Sequence, residues 1–305
     1  MKPRNAKQVV LPLIAAFIFG STFVAQSLSA NVVGFFTFGY ARSIVAVAGL
    51  SIIIAVMDRR QSAPQQSVSE RKKQHALLLK VGLLAGTLIA AANSMQQYAL
   101  RTTTAAKAGF ITTLYIVIVP LLGVMLGKRV RPLLWVGVAS ALGGLYFLCF
   151  HGGGGFYLVR ADALLLLSSL CFSVHIHVVD SFADRLDMLR LCRMQAAVMG
   201  LESFIGAMII DGFQYEQIAQ CLPYIIYAGF FSAAIANLLQ LLAQKDGDPT
   251  VVSLMLSMEA LFAAICGAIV LHEHLNGREY IGCALMLLAI VLVQLPEKKS
   301  ASVRD

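Results

Sequence analysis

A carboxylate and a guanidinium stand out in a chain where only 13% of residues are charged and mean hydropathy is +0.77. Glu259 lies near the middle of an apolar stretch at 249–271, and Arg42 lies deep in another at 32–57. An ionised group in such surroundings loses its hydration, so it must meet a partner, a water-lined cavity or a proton. Two readings of Glu259 stand side by side. It holds a cation or carries a coupling proton, or it is a structural carboxylate hydrogen-bonded to a neighbouring helix. For Arg42 the structural reading leads, as the partner of an acid or of a carbonyl cluster.

Uncharged polar groups form the second set. Asn237, Gln240 and Gln244 fall at i, i+3 and i+7, along one face of a helix. Asn93, Gln96 and Gln97 precede Tyr98, and Thr22 lies one turn before Gln26. Such side chains could line a solute cavity or glue helices together, the latter for about 0.6–2 kcal/mol each. Tyr115 could add an aromatic wall. The substrate-binding set expected on these grounds is Gln26, Asn93, Gln97, Tyr115, Asn237, Gln240 and Glu259.

The histidines point elsewhere. His175 and His177 are two residues apart, on different helical faces, so they are poorly placed to share a metal. His272, Glu273 and His274 are the most metal-like cluster, but they lie at a helix end without a second ligand group nearby, and a polar elbow is the default reading. Lys107, close to a span end, can snorkel to water, with a role in attracting anions as the alternative. No metal and no cofactor is expected.

These groups are carried by ten apolar segments near 9–30, 32–57, 76–98, 105–127, 133–150, 161–181, 188–210, 222–243, 249–271 and 277–295. A hydrocarbon core about 30 Å thick needs roughly 20 helical residues. Stretches such as Val81 to Ala92 are apolar on every face, which excludes the alternation of a barrel. The fold class expected is an all-α membrane bundle of ten transmembrane helices.

The net charge of +8 would suit nucleic acid only if the basic residues shared a soluble face. Instead they sort by loop. With the N-terminus inside, Lys2, Arg4, Lys7, Arg59, Arg60, Arg71, Lys72, Lys73, Lys128, Arg129, Arg131, Arg185, Arg190, Arg193, Lys245, Lys298, Lys299 and Arg304 fall on the inner side. Only Arg101, Lys107, Arg160 and Arg278 fall outside. The bias predicts cytoplasmic termini in a cell membrane, contact with anionic lipid, and no nucleic-acid partner. The first segment is kept as a span and not as a cleaved signal peptide, because its apolar run is too long. The six cysteines lack a C-x-x-C pair and read as small buried residues. There is no G-x-x-x-x-G-K-[ST] loop for ATP.

The glycine run Gly152 to Gly155 divides five segments from five. Leu126-Gly127-Lys128-Arg129 leads into Trp135-Val136-Gly137, and Leu271-His272-Glu273-His274 leads into Tyr280-Ile281-Gly282, so a helix, polar elbow and glycine-bearing helix recur. An odd number of spans per half turns the second copy upside down. The expected units are 9–150 and 161–295, with short tails at 1–8 and 296–305. Pairs such as Gly82 and Gly86 should let helices approach closely.

Several of these stretches resemble the ten-helix EamA-type members of the drug/metabolite transporter superfamily. They are Gly20-Ser21-Thr22-Phe23-Val24-Ala25-Gln26 in the first helix, Arg42 in the second, TAAKAGFITTLYIVIVP from Thr104 to Pro120 in the fourth, and Met258 to Ala264 followed by His272 to Leu275 in the ninth. Two departures stand out: Ala260 where many members carry proline after the glutamate, and Lys128 where an acid is commoner. The resemblance implies a secondary carrier, commonly an exporter of metabolites, amino acids or drugs, without a cofactor. An importer or facilitator of the same architecture, an intramembrane enzyme built on His272-Glu273-His274, and a channel are the rivals. Scattered polar groups favour the carrier over the enzyme. Whether it works as a homodimer stays open.

Overall fold

A computed structural model describes residues 6–60, 67–125, 127, 132–151, 155–156, 159–246 and 249–294. Lys128, Arg129 and Arg131 of the first elbow, the loop around Pro64, the glycines 152–154 and the tails at 1–5 and 295–305 lie outside the described residues.

Each expected apolar segment falls on helix. The elements are α1 (Ala6–Ala30), α2 (Phe35–Arg60), α3 (Val68–Ala99), α4 (Ala105–Thr112), α5 (Tyr115–Met125) and α6 (Pro132–Cys149), then α7 (Arg160–Phe182) and α8 (Met188–Gly206). They continue with α9 (Tyr215–Gln220), α10 (Leu222–Ile226), α11 (Asn237–Asp246), α12 (Pro249–Leu256), α13 (Glu259–Val270) and α14 (Gly277–Gln294). Phe150–His151 and Gly155–Phe156 form a two-residue antiparallel pair at the mid-chain crossing. Among the described residues seven helical stretches are long and apolar enough to cross a membrane, counting Ala105–Met125 as one, while α6, α13 and α14 contribute shorter apolar runs. Their outward faces carry large apolar side chains such as Ile44, Leu83, Trp135 and Ile209, which suits a hydrocarbon solvent and not water.

Packing follows the small residues. Gly82 and Gly86 of α3 lie against Met194 and Val198 of α8, so close that a Cβ at either position would collide. Gly20 of α1 and Gly109 of α4 face the start of α13; a Cβ at Gly20 would sit 2.6 Å from the Glu259 carbonyl oxygen, and one at Gly109 would sit 2.8 Å from Ala263 Cβ. Small residues thus bring α1, α4 and α13 into contact, as lipid-embedded helices require. The pair α6 and α14 packs on itself, joined by Ser140 Oγ donating to the Leu285 carbonyl at 2.7 Å.

Three local irregularities shape the centre. The fourth apolar segment breaks at Thr113–Leu114 and the ninth at Ser257–Met258. At both places α-helical bonding gives way to i−3 bonds: Leu114 N–H to Ile111 O and Ile116 N–H to Thr113 O in one, Met258 N–H to Met255 O and Ala260 N–H to Ser257 O in the other. The second break forms without a proline, since Ala260 follows Glu259. The third irregularity is a wide π-helical stretch, Tyr227–Ala236, between α10 and α11. Gly229 within it lets α2 come near, where a Cβ would sit 2.6 Å from the Arg42 carbonyl oxygen.

At the end of the bundle where α2, α4 and α7 begin, polar groups tie the two halves of the chain together. Thr104 Oγ1 accepts from Lys107 N–H at 3.1 Å, and the Glu273 carboxylate accepts from Ala105 N–H at 2.8 Å and Ala106 N–H at 3.2 Å, satisfying the first donors of α4. Asp211 Oδ2 does the same at α2, accepting from Thr37 N–H at 2.7 Å and Thr37 Oγ1 at 3.0 Å.

Candidate functional site

The irregular segments surround a central cavity with about 90 Å³ open to water centres. One wall is α1, supplying Phe19, Thr22, Phe23 and Gln26. The next is α3 with Asn93 and Gln96, beside Thr112 and Tyr115 at the first helix break. The second half of the chain contributes Phe172 and His175 from α7, Met199 from α8, Ser232 from the π-helical stretch, Asn237 and Gln240 from α11, and Glu259 at the second break. Arg42 and Ser43 of α2 close the ring.

The two breaks place chemistry here. Tyr115 is the first residue of α5 and Glu259 the first of α13, so each stands at a fresh helix N-terminus in mid-segment. That end carries the positive pole of the helix dipole, which favours the Glu259 carboxylate. The Tyr115 hydroxyl hydrogen-bonds to it across the gap. Glu259 is 6% exposed and lines the cavity.

Arg42 is the corresponding cation and is 4% exposed. No acid meets it among the described residues. Its Nη2 lies 3.9 Å from Met199 Sδ, its Cζ sits 5.8 Å from the Phe38 ring centre, and its Nε has no hydrogen-bond partner. Of the two partners expected for Arg42, an acid or a carbonyl cluster, no acid is found among the described residues; Arg42 lies beside soft, polarisable neighbours and faces the cavity.

The amides form a chain across α1, α3 and α4. Gln26 Nε2 donates to Gln96 Oε1 at 3.3 Å, and Gln96 Nε2 donates to Thr112 Oγ1 at 3.4 Å. Asn93 Nδ2 donates back to the Ile89 carbonyl at 2.9 Å, and the residue lines the cavity. Of the seven residues expected at a substrate site, Gln26, Asn93, Tyr115, Asn237, Gln240 and Glu259 line this cavity. Gln97 lies outside it, in a narrow cleft behind Gln26 and Arg42, where its Nε2 donates to the Gln26 carbonyl at 3.1 Å. Gln244 is buried beyond the cavity.

Further residues come from the fold. Ser232 reaches the cavity because a π-helical turn shifts the helical phase, a signal no apolar periodicity carries. His175 faces the cavity and pairs with Gln195 at 3.3 Å, whereas His177 turns away to the Val119 carbonyl at 2.8 Å, as opposite helical faces demand.

One sequence expectation is overturned. Lys107 does not snorkel: it is buried, with Nζ 3.0 and 3.1 Å from the two oxygens of Asp162 on α7. Glu273 acts within the polar elbow that was its default reading, with both of its oxygens engaged by the start of α4. His272 adopts a left-handed φ of 53° that turns the chain back, so Glu273 N–H reaches the Gly267 carbonyl. Among the described residues no group of histidine, cysteine or acidic side chains is placed to hold a metal.

Comparison with known proteins places the chain beside the following, among other matches. The family model described as the EamA-like transporter family matches residues 6–150 and 159–295. An uncharacterized transporter of Archaeoglobus fulgidus is 30% identical over 203 residues, covering 66% of this chain and 64% of that protein. The chain thus spans just under two thirds of the length of the curated relative it matches. A solved crystal structure, described only as that of a protein, matches with a TM-score of 0.70 at 17% identity, over 95% of this chain and 97% of its own, a likeness of fold alone.

Proposed function

We propose that this chain, which belongs to the EamA-like transporter family, is a secondary-active carrier that exports a small organic solute by alternating access. The family and the seven long apolar helices make it a multi-pass membrane protein that transports small solutes. Coupling, direction and the order of the spans are our reading. The carrying observation is the central cavity, lined by polar groups from both matched segments, with Tyr115 and Glu259 standing at two broken helices. Broken helices around a midplane site are a recurrent device of transporters, because they free backbone and charge for a solute where lipid cannot reach.

In this reading ten spans form two inverted five-helix halves, in the cell's plasma or inner membrane, with both termini cytoplasmic. The loop distribution of lysine and arginine supports that orientation. Gln26, Asn93, Asn237 and Gln240 contact the solute, and Glu259 carries a coupling proton or holds a cationic group. Both oxygens of Glu273 serve α4, which weighs against an intramembrane enzyme at His272-Glu273-His274.

The test is flux in sealed proteoliposomes loaded with a metabolite panel, with and without a pH gradient. Efflux that saturates, shows competition between solutes and returns each solute chemically intact is expected. Unsaturable flux, or covalent change of the solute, would overturn the carrier.

A further inference from the structure

The end of the bundle where α2, α4 and α7 begin is the one that the loop sorting leaves poor in cations, with Arg101, Lys107, Arg160 and Arg278. Lys107 is spent on Asp162. Arg101 and Arg160, by contrast, converge: their guanidinium carbons lie 5.7 and 5.2 Å from the centre of one ring, Tyr98, although the first follows α3 and the second starts α7. Arg101 also lies 5.7 Å from the centre of the Phe35 ring, which meets Tyr98 edge to face at 5.4 Å. An aromatic face attracts a cation, but two cations on one ring repel each other. No acid pairs with either arginine among the described residues, and both side chains are exposed. Arg101 Nε donates to the Ala30 carbonyl at 3.0 Å, which fixes its guanidinium and leaves the terminal nitrogens for another acceptor.

Tyr98 also ends a lipid-facing stripe. Leu84, Ala91 and Tyr98 are spaced by seven, and Thr87 lies one turn before Ala91, so the four share a face of α3. Leu84, Thr87 and Ala91 are exposed, whereas Asn93 and Gln96 of the same helix turn to the cavity. The apolar span of α3 closes at Ala99, which puts Tyr98 and both arginines at the depth of lipid headgroups.

From this arrangement we propose that Arg101, Arg160 and Tyr98 form a binding site for an anionic glycerophospholipid, its phosphate between the two guanidiniums and its acyl chains along the α3 stripe. The phosphate supplies the charge that lets two cations share a ring, and its oxygens accept parallel hydrogen bonds from planar guanidiniums. A free phosphate would answer the arginines and leave the stripe unused. The site lies on the outside of the bundle, apart from the cavity and from the cation-rich loops at the opposite end. A lipid held there ties the end of α1, through Ala30, to α3 and α7. The site does not depend on the direction or coupling of transport.

The experiment reads lipid contact at position 98 by fluorescence. Trp135 is the single tryptophan of the chain, so Trp135→Phe with Tyr98→Trp leaves one reporter, and its indole keeps an aromatic face for the arginines. The full chain is placed in phosphatidylcholine vesicles doped with rising fractions of phosphatidylglycerol or phosphatidylcholine whose acyl chains carry bromine. Brominated phosphatidylglycerol is expected to reach half-maximal quenching at a mole fraction about 5- to 30-fold lower than brominated phosphatidylcholine, given two arginines at the headgroup. Arg101→Gln with Arg160→Gln should bring the two lipids to one curve. Lys72→Gln with Lys73→Gln, at the other end of α3, should leave the preference in place. Equal quenching by the two lipids in the reporter chain overturns the site, and so does a preference that survives the paired arginine substitution. Inorganic phosphate or glycerol 3-phosphate, added in excess over the lipid, should change nothing; loss of the preference would assign the arginines to a soluble anion and overturn the lipid. If the paired arginine variant does not fold, the two lipids compared on the chain that keeps both arginines decide.

Discussion

The Tyr115 hydroxyl donates a hydrogen bond to the Glu259 carboxylate, and each of the two is the first residue of a helix that restarts after a break in mid-segment. Two interrupted helices from different halves of the chain, packed together where Gly109 meets Ala263, are thus also joined by a side-chain contact at the cavity wall. Any proton or cation taken by Glu259 must alter that contact, which links the occupancy of the site to the relative position of the two broken helices.

Glu259→Gln fixes the side chain in a neutral form. Uphill transport driven by a pH gradient is expected to disappear in this variant, while exchange of solute at equal pH on both sides continues. Flux measured in proteoliposomes under the two regimes decides it; a pH dependence equal to that of the unsubstituted chain would remove Glu259 from the coupling step.

Lys107 and Asp162 form a buried pair at the end of the bundle where α4 and α7 begin. Lys107→Ala leaves the Asp162 carboxylate buried without its counter-charge and should cost about 3–5 kcal/mol. The double variant Lys107→Leu with Asp162→Leu should recover most of that loss. A double-mutant cycle on thermal unfolding in detergent measures the coupling, and additive single effects would show that the pair does not act as a unit.

Glu273→Ala removes the acceptor for the first two N–H groups of α4 and should cost about 0.5–2 kcal/mol, in the range of a lost helix cap. Since Glu273 joins the second half of the chain to the first, amide exchange should quicken at Ala105 and Ala106 before it does elsewhere in α4. An unchanged exchange pattern would contradict the cap.

Gly20→Val should destabilise the fold by about 1–3 kcal/mol, because its Cβ would meet backbone atoms of α13 that cannot move aside. Gly277→Ala, with nothing within 4 Å of the added carbon, is the matched control and should be near neutral. Equal melting temperatures for the two variants would refute the close approach of α1 and α13.

Much of the architecture was legible because lipid leaves a strong trace in composition: apolar runs of the right length, basic loops, small residues at contact positions. The helical segments fall where hydropathy put them, and six of the seven residues chosen as polar groups in apolar surroundings line one cavity. Gln97 shows the limit of that reasoning. It differs from Gln96 by a single position, yet 100° of helical rotation sends one amide to the cavity and the other to the Gln26 backbone. The acceptors that hold α4 were also hidden, since Asp162 and Glu273 stand 55 and 168 residues from the groups they bind.

By itself, the sequence determined that this chain spans a membrane as helices and carries a few polar groups inside it, because hydrocarbon solvent forces that choice residue by residue. Only the tertiary structure decided where those helices break, which side chains surround Arg42, and which of two adjacent amides meets the cavity. Those outcomes depend on packing and not on local residue type: the break before Glu259 contains no proline, and among the described residues Arg42 meets no acid but Met199 and Phe38.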